Sequence, residues 1–153
     1  MAKDMLVEKS VIIDKPLAQV FDYLRYTMNQ NNFSVWNMKD PGKKTEVSGV
    51  DGTVGFIYSW DSKDKSVGAG SQEITSITEG KSITYKLAFE RPMKNVAQSG
   101  FYLRDLGNEQ TEVKWEFRGP TKFPMSLFKG FLQNMLGKDM DKSLTNLKNV
   151  LDK

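Results

Sequence analysis

Three aromatic residues at alternate positions are the part of this sequence best suited to binding another molecule. Phe56, Tyr58 and Trp60 occur in the stretch GFIYSWD, and the period-two alternation of a β-strand points them to one face. After a polar turn, the returning stretch carries Gly68 and Gly70 in place of bulky residues. Large rings beside a strip with almost no side chains can form a packed core, a stacking platform for nucleic-acid bases, or the wall of an internal cavity.

The residues on which most catalytic and metal sites depend are missing. The 153 residues include no cysteine and no histidine. Without cysteine, disulfides, thiol nucleophiles and thiolate metal sites are excluded. Without histidine, the chain lacks the commonest transition-metal ligand and the usual general base near neutral pH. We expect no metal and no cofactor. Any acid–base chemistry would have to use Asp, Glu, Lys or Tyr with a shifted pKa.

Motifs for phosphate binding and nucleophilic catalysis are missing as well. Gly80, Lys81 and Ser82 form the ending of a phosphate loop, but Thr75 stands where that loop needs its first glycine. A strand-like pattern follows, so no helix N-terminus is available to hold a phosphate. The nucleophile elbow Gly-x-Ser-x-Gly does not occur. The sequence therefore contains no recognisable catalytic motif.

Charge balance and hydropathy restrict the expected partners and location. The net charge is +3, from 22 basic and 19 acidic residues, and the basic residues are interspersed with acids, whereas nucleic-acid binders concentrate positive charge on one face. No apolar stretch is long enough to span a membrane, and the opening MAKDMLVEKS lacks the apolar region of a signal peptide. We expect a cytoplasmic protein that neither binds nucleic acid nor inserts stably into a membrane.

The patterning predicts a single domain, residues 1–153, that begins with a strand and a helix. Residues 5–13 have the composition of a strand. Asp14 is the expected cap of the helix that follows, whose apolar residues recur at i, i+3, i+4 and i+7: Leu17, Val20, Phe21 and Leu24. A short second helix and a polar loop are predicted next.

Six strands and a long helix complete the predicted order. The strands are expected at 45–50, 53–61, 67–78, 82–90, 95–106 and 110–119, separated by turn residues. Their connections are too short for crossover helices, so the sheet should be antiparallel. A helix of about 124–151 should then carry a wide apolar stripe at Leu127, Phe128, Phe131, Leu132, Met135, Leu136, Met140, Leu144, Leu147 and Leu151.

The long helix is expected to cover the aromatic residues of the sheet and to carry the candidate catalytic residue. Its stripe would cover the aromatic face of the sheet, which excludes an exposed stacking platform. Gly130 and Gly137 mark either close approach to another element or local softness of the helix. Asp139, at the edge of the stripe, is the candidate catalytic residue or polar anchor. The alternative for Asp139 is a rim position, bonded to water or to a lysine.

Five stretches together resemble the START-like (SRPBCC) superfamily of polyketide cyclase/dehydrase and lipid-transport proteins. They are SVIIDKPLAQVFDYL (10–24), FSVW (33–36), GFIYSW with VGAGSQEIT (55–75), KSITYKLAFERP (81–92) and GKDMDKSLTNLKNVL (137–151). The resemblance implies an α+β helix-grip fold. In that fold a curved antiparallel β-sheet wraps around a long C-terminal helix, two short helices follow the first strand, and an elongated cavity lies between sheet and helix.

The leading functional hypothesis is binding of a hydrophobic or aromatic small molecule, lipid or polyketide-like, in this internal cavity. Ser99, Gln98 and the polar tips of Tyr58, Tyr85 and Trp115 would orient the ligand's polar atoms. Residues 33–43 and the turn at Arg91-Pro92 would form the rim. The expected ligand-binding residues are Tyr58, Trp60, Tyr85, Phe89, Ser99, Phe101, Trp115, Phe117, Met135 and Met140.

Two other classes of function remain open from the sequence. One is a polyketide cyclase or dehydratase, with a tyrosine or Asp139 as the acid–base group and the cavity shaping the substrate. The other is a protein-interaction module without a ligand, which should show an exposed apolar patch. We expect a monomer or a weak homodimer in each case. Fold analogy does not choose among these classes, because one architecture hosts many functions.

Overall fold

The computed structural model of the protein describes residues 3–64, 67–91, 94–121 and 129–152. In this part of the chain, seven strands form one sheet: β1 (Lys3–Ile13), β2 (Lys44–Ser48), β3 (Ile57–Asp61), β4 (Ala69–Thr78), β5 (Ser82–Arg91), β6 (Asn95–Gly107) and β7 (Gln110–Thr121). The helices are α1 (Leu17–Arg25), a 3₁₀ helix (Thr27–Asn32), α2 (Val35–Lys39) and α3 (Lys129–Leu151).

The sheet is antiparallel throughout and its spatial order is β1-β7-β6-β5-β4-β3-β2. Strands that follow one another from β2 to β7 are neighbours, as short turns require, and β1 closes the order by pairing with β7 along its whole length. This arrangement confirms the predicted α+β architecture. The predicted segment 124–128 of the last helix lies outside the described residues.

Two details of the sequence prediction were wrong. The third strand begins at Ile57, not at residue 53, because Gly52 and Gly55 adopt positive φ angles of 83° and 98° that break the extended chain. Asp14 does not cap α1, whose N-cap is Pro16. The Asp14 carboxylate instead accepts hydrogen bonds from Gln110 Nε2 at 2.8 Å and from Lys148 Nζ at 3.3 Å.

The C-terminal half of α3 fills the concave face of the sheet, whereas its first half does not. Met140, Leu144 and Leu147 are buried in the core, and Lys148 Nζ donates to the Ile12 carbonyl at 3.0 Å, which ties the end of the helix to β1. Towards the other end, Phe131 is 67% exposed. The described side chains of the helix are therefore most deeply buried from about its middle onward.

The two glycines of α3 have different surroundings. A Cβ at Gly137 would lie 3.0 Å from Lys9 Cε on β1, whereas a Cβ at Gly130 would have no neighbour within 4 Å. Gly137 thus marks the close approach of helix and sheet, which is one of the two roles that the sequence left open. Gly130 has no such contact.

The pairing of β4 with β5 is interrupted by two irregularities. Opposite β5, an extra residue interrupts the regular register at Thr75, and another at Glu90 on β5. Such bulges bend a strand and increase its twist. Next to the second bulge lies Gly70, where a Cβ would lie 2.5 Å from the Ala88 carbonyl oxygen and 3.1 Å from the Trp60 ring. The missing side chain lets β5 and Trp60 approach β4 closely.

We predict that Gly70→Ala destabilises the protein by roughly 1–3 kcal/mol. The added methyl group would clash with the Ala88 carbonyl oxygen and with the Trp60 ring, and the main chain of β5 has little freedom to move away. Gly130→Ala is the matched control. It adds the same methyl group in open space on a helix, and should change stability by at most about 1 kcal/mol, in the stabilising direction. Urea unfolding of both variants measures the difference. Equal stability of the two would contradict the close approach at Gly70.

Candidate functional site

A cavity of about 240 Å³ lies between the concave face of the sheet and the helices α2 and α3. Apolar and aromatic side chains make up most of its wall. The described lining residues are Gln30, Ser34, Trp36, Asn37, Lys43, Tyr58, Trp60, Val67, Gln72, Leu87, Phe89, Arg91, Ser99, Trp115, Phe117, Leu136 and Met140. The chain has three tryptophans, and all three, Trp36, Trp60 and Trp115, contribute to this wall.

An aromatic cluster closes the cavity on the side of the core. Trp115 stacks on Phe101 with ring centroids 5.0 Å apart, and both meet Phe33 edge-on at 6.4 and 6.1 Å. Trp36 from α2 contacts Trp115 edge-on, with ring centroids 5.8 Å apart. The alternation of β6 and β7 brings these rings to the concave face, so Trp115 is at once a core residue and part of the cavity wall.

A second aromatic group forms the wall nearer solvent. Trp60 stacks on Tyr58 at 6.3 Å and meets Phe89 edge-on at 6.2 Å. In the register of β3 and β4, Trp60 pairs with Gly70, so its ring can lie close over a residue without a side chain. The indole Nε1 donates to the Val67 carbonyl at 3.2 Å, which fixes the orientation of the ring. The glycine in the returning strand therefore makes room for an aromatic residue of the cavity wall.

The buried part of the wall contains polar groups without partners. The Tyr58 hydroxyl and the Gln30 Nε2 amide have no hydrogen-bond partner among the described residues, although both side chains are buried. Burial raises the pKa of Tyr58 above its usual value, because the phenolate would be poorly solvated. Tyr58 therefore stays protonated at neutral pH and can donate a hydrogen bond.

The charged side chains among the described lining residues are both cationic. Lys43 Nζ donates to the Asn37 carbonyl at 2.8 Å, and holds the loop before β2. Arg91 is exposed, pairs with the Asp61 carboxylate and donates to the Ser62 carbonyl at 3.3 Å. Exposure places Arg91 at the rim. No carboxylate belongs to the described lining, so this part of the wall offers no carboxylate as a general base.

Seven of the ten residues expected at the site from the sequence line the cavity: Tyr58, Trp60, Phe89, Ser99, Trp115, Phe117 and Met140. Tyr85 and Phe101 do not belong to the described wall; they lie in the core, at 1% and 0% exposure. On β5 the inward residues become more exposed from Tyr85 to Leu87 and Phe89. Alternation identifies the face of a residue, but its depth along the strand depends on what packs against it.

Three other expected site residues lie elsewhere. Met135 is 49% exposed and outside the cavity wall, because successive helical residues are about 100° apart and Leu136 takes the inward position. Gln98 is exposed on the face of β6 opposite Ser99. Asp139 is not part of the described wall either, and its backbone carbonyl accepts from the hydroxyl of Ser143.

Sequence reasoning missed several polar members of the wall. Gln72 on β4 shares the inward face with Gly70 and Ile74, which is a signal that alternation could have revealed. Gln30 lies in a 3₁₀ helix that the sequence did not predict. The loop expected at the rim does contribute, through Ser34, Trp36, Asn37 and Lys43. Pro92 of the other predicted rim segment lies outside the described residues.

Two kinds of feature are missing from the part of the chain that the structure describes. No group of three or more acidic side chains lies close enough together to hold a metal ion. None of the described helices is long and apolar enough to cross a membrane.

The family model for polyketide cyclase/dehydrase and lipid transport matches residues 5–152. The chain belongs to this family. A comparison with curated proteins finds no match. The fold is shared with truncated norcoclaurine synthase from Thalictrum flavum, at 10% identity and a TM-score of 0.72 over 99% of this chain and 96% of that one.

Two further solved structures support the same fold. A protein from Chromobacterium violaceum is 14% identical, with a TM-score of 0.68 over 97% of both chains. The Thalictrum flavum synthase in complex with dopamine and hydroxybenzaldehyde is 10% identical, with a TM-score of 0.69 over 95% of this chain and 87% of that one. At these identities the similarity shows the fold alone, and it confirms the predicted helix-grip arrangement of this family member.

The buried hydroxyl of Tyr85 should make the stability of the protein depend on pH in the alkaline range. Burial raises the pKa of Tyr85 far above its ordinary value; Gln30 partly offsets this effect and the charge of Asp51 adds to it. Because the unfolded state then loses its proton first, stability is complete below about pH 10 and falls as the pH rises further, by up to about 1.4 kcal/mol per pH unit.

We predict that Tyr85→Phe weakens this alkaline loss of stability. Unfolding free energies measured in urea between pH 9 and pH 11 (roughly one unit either side of the ordinary tyrosine pKa) provide the slope. Tyr26→Phe, which removes a hydroxyl from an exposed residue, controls for the general effect of losing a phenol. An unchanged slope in Tyr85→Phe would show that this hydroxyl can ionise without unfolding.

Proposed function

We propose that this protein binds a hydrophobic or aromatic small molecule in the cavity described above. The observation that carries the proposal is the convergence of all three tryptophans on one largely apolar wall. A ligand that fills this space would remove its own apolar surface from water and would meet flat, polarizable rings. Small-molecule sites typically combine such a wall with a few polar groups that orient the ligand, as Tyr58 and Ser99 would here.

The size of the cavity favours a compact ligand. Its volume of about 240 Å³ is slightly below the roughly 300–1,000 Å³ of typical small-molecule sites. A fused or linked pair of rings, or a single short chain, suits this space better than a lipid with two long chains. Among the family's ligand classes, this favours a polyketide-like aromatic compound.

A solved structure with the same fold supports the proposal that the ligand is a small aromatic molecule. Norcoclaurine synthase from Thalictrum flavum was solved with dopamine and hydroxybenzaldehyde, each a single substituted ring. The chain described here carries no carboxylate in the described cavity wall, so we propose binding rather than a reaction. A cyclase-type activity would have to depend on Tyr58 or Lys43.

Tryptophan fluorescence tests the proposal directly. N-phenyl-1-naphthylamine is an uncharged, apolar aromatic dye that accepts excitation energy from tryptophan. Titration of the folded protein should quench tryptophan emission and raise dye emission to saturation at a 1:1 ratio, because all three tryptophans lie at the site. Absence of saturable binding of this dye and of a panel of two-ring aromatic compounds would contradict the proposal.

A substitution that fills part of the cavity, compared with the same substitution on the opposite face of β6, tests where the dye binds. Ser99 is a small residue of the wall, so Ser99→Leu should occupy part of the cavity and weaken dye binding at least about 10-fold, the equivalent of roughly 1.4 kcal/mol. Gln98→Leu makes the same change one residue away, on the opposite and exposed face of β6. It should leave dye binding unchanged. Equal binding by the two variants, with the circular dichroism of the wild type, would place the dye elsewhere.

A further inference from the structure

We propose that the inner wall of the cavity recognises an oxygen acceptor on the ligand, a carbonyl group above all. This inference rests on the proposed function, which it narrows to hydrophobic molecules that carry such an acceptor at the end that enters first. The observation behind it is a pair of donors, the Tyr58 hydroxyl and the Gln30 Nε2 amide. Both residues belong to the cavity wall, and neither donor atom has a hydrogen-bond partner within 3.5 Å among the described residues, although Gln30 lies near enough to the Tyr85 hydroxyl to lower its pKa.

Both donors are deeply buried, which makes their lack of partners costly. Tyr58 is 3% exposed and Gln30 is 4% exposed. A buried polar group that makes no hydrogen bond loses its interaction with water without replacement. Buried polar side chains in proteins therefore nearly always have a partner, and both residues belong to the wall of the cavity.

The chemistry of the two groups specifies what the partner must offer. An amide Nε2 can donate but cannot accept, and a phenolic hydroxyl can do either. Because burial raises its pKa, Tyr58 keeps its proton and remains a donor. One acceptor oxygen with two lone pairs can receive both hydrogen bonds. A carbonyl oxygen meets this requirement, whereas a hydrocarbon of the same shape leaves both donors unpaired.

The rest of the wall is consistent with a ligand that enters with its oxygen first. Tyr58 is buried, whereas its stacking partner Trp60 and the neighbouring Phe89 are half-buried. The aromatic body of the ligand would therefore lie against Trp60 and Phe89, with its outer end near the exposed Arg91. This orientation would pair the ligand's oxygen with the two buried donors and its rings with aromatic side chains.

A pair of matched probes tests the inference. 2-Acetylnaphthalene and 2-isopropenylnaphthalene have nearly the same shape, but the first carries a C=O group where the second carries C=CH₂. Competition with N-phenyl-1-naphthylamine gives the affinity of the wild-type protein for each. We expect the ketone to bind roughly 3- to 10-fold more tightly, the range expected for one net hydrogen bond.

Two near-isosteric variants locate the preference. Tyr58→Phe and Gln30→Met each remove one donor, and each should reduce the preference for the ketone while leaving affinity for the alkene unchanged or higher. Retained affinity for the alkene shows that the variant is folded with an intact cavity. Tyr102→Phe is the control, because it removes a hydroxyl from an exposed residue outside the described wall. It should keep the wild-type preference.

The outcomes separate this inference from the proposed function. If both probes bind equally well to the wild type, the cavity binds aromatic molecules but does not recognise an acceptor, and the inference is wrong while the proposed function stands. If the ketone is preferred to the same degree by Tyr58→Phe and Gln30→Met, the acceptor is recognised by other groups, which also overturns the assignment. If neither probe binds, the proposed function fails and this inference fails with it.

Discussion

The stacking of Phe101 on Trp115 is the contact on which the rest of the concave face depends. Their rings lie 5.0 Å apart, and Phe33 packs edge-on against both. This cluster joins β6 and β7 to the short helical connection that follows α1, so Trp36 is held over the sheet as well. Because protein interiors pack densely, the position of these rings decides where the solid core ends and where the cavity begins.

The C-terminal end of helix α3 packs in the core, whereas its middle forms part of the cavity wall. Beyond Met140, its inward residues are buried in the core, and Lys148 fastens this end to β1 through the Ile12 carbonyl. Leu136 and Met140 form part of the cavity wall instead. A helix that packed along its full length would have filled this space. The cavity therefore follows from unequal packing of one helix on a strongly curved sheet.

The polar groups of the wall fit a site better than they fit a core. A purely apolar wall would avoid the cost of burying two donors without hydrogen bonds, so Tyr58 and Gln30 are unusual choices for a wall that only has to pack. Departures from optimal packing of this kind concentrate at functional sites. In the proposed function, the aromatic wall would attract an apolar ring, and the two donors would provide selectivity among molecules of similar size.

The sequence by itself determined the order of helices and strands and the inward face of most strands, because alternation and apolar periodicity are local properties. It correctly turned Tyr58 and Trp115 inward. It could not distinguish Tyr85, buried in the core, from Phe89 on the same face of the same strand, since depth depends on the elements packed above. Only the tertiary structure brought Gln30, from a 3₁₀ helix distant in sequence, to the wall that holds Tyr58. Curvature of the sheet and the partial packing of α3, both non-local, decided which inward residues face open space.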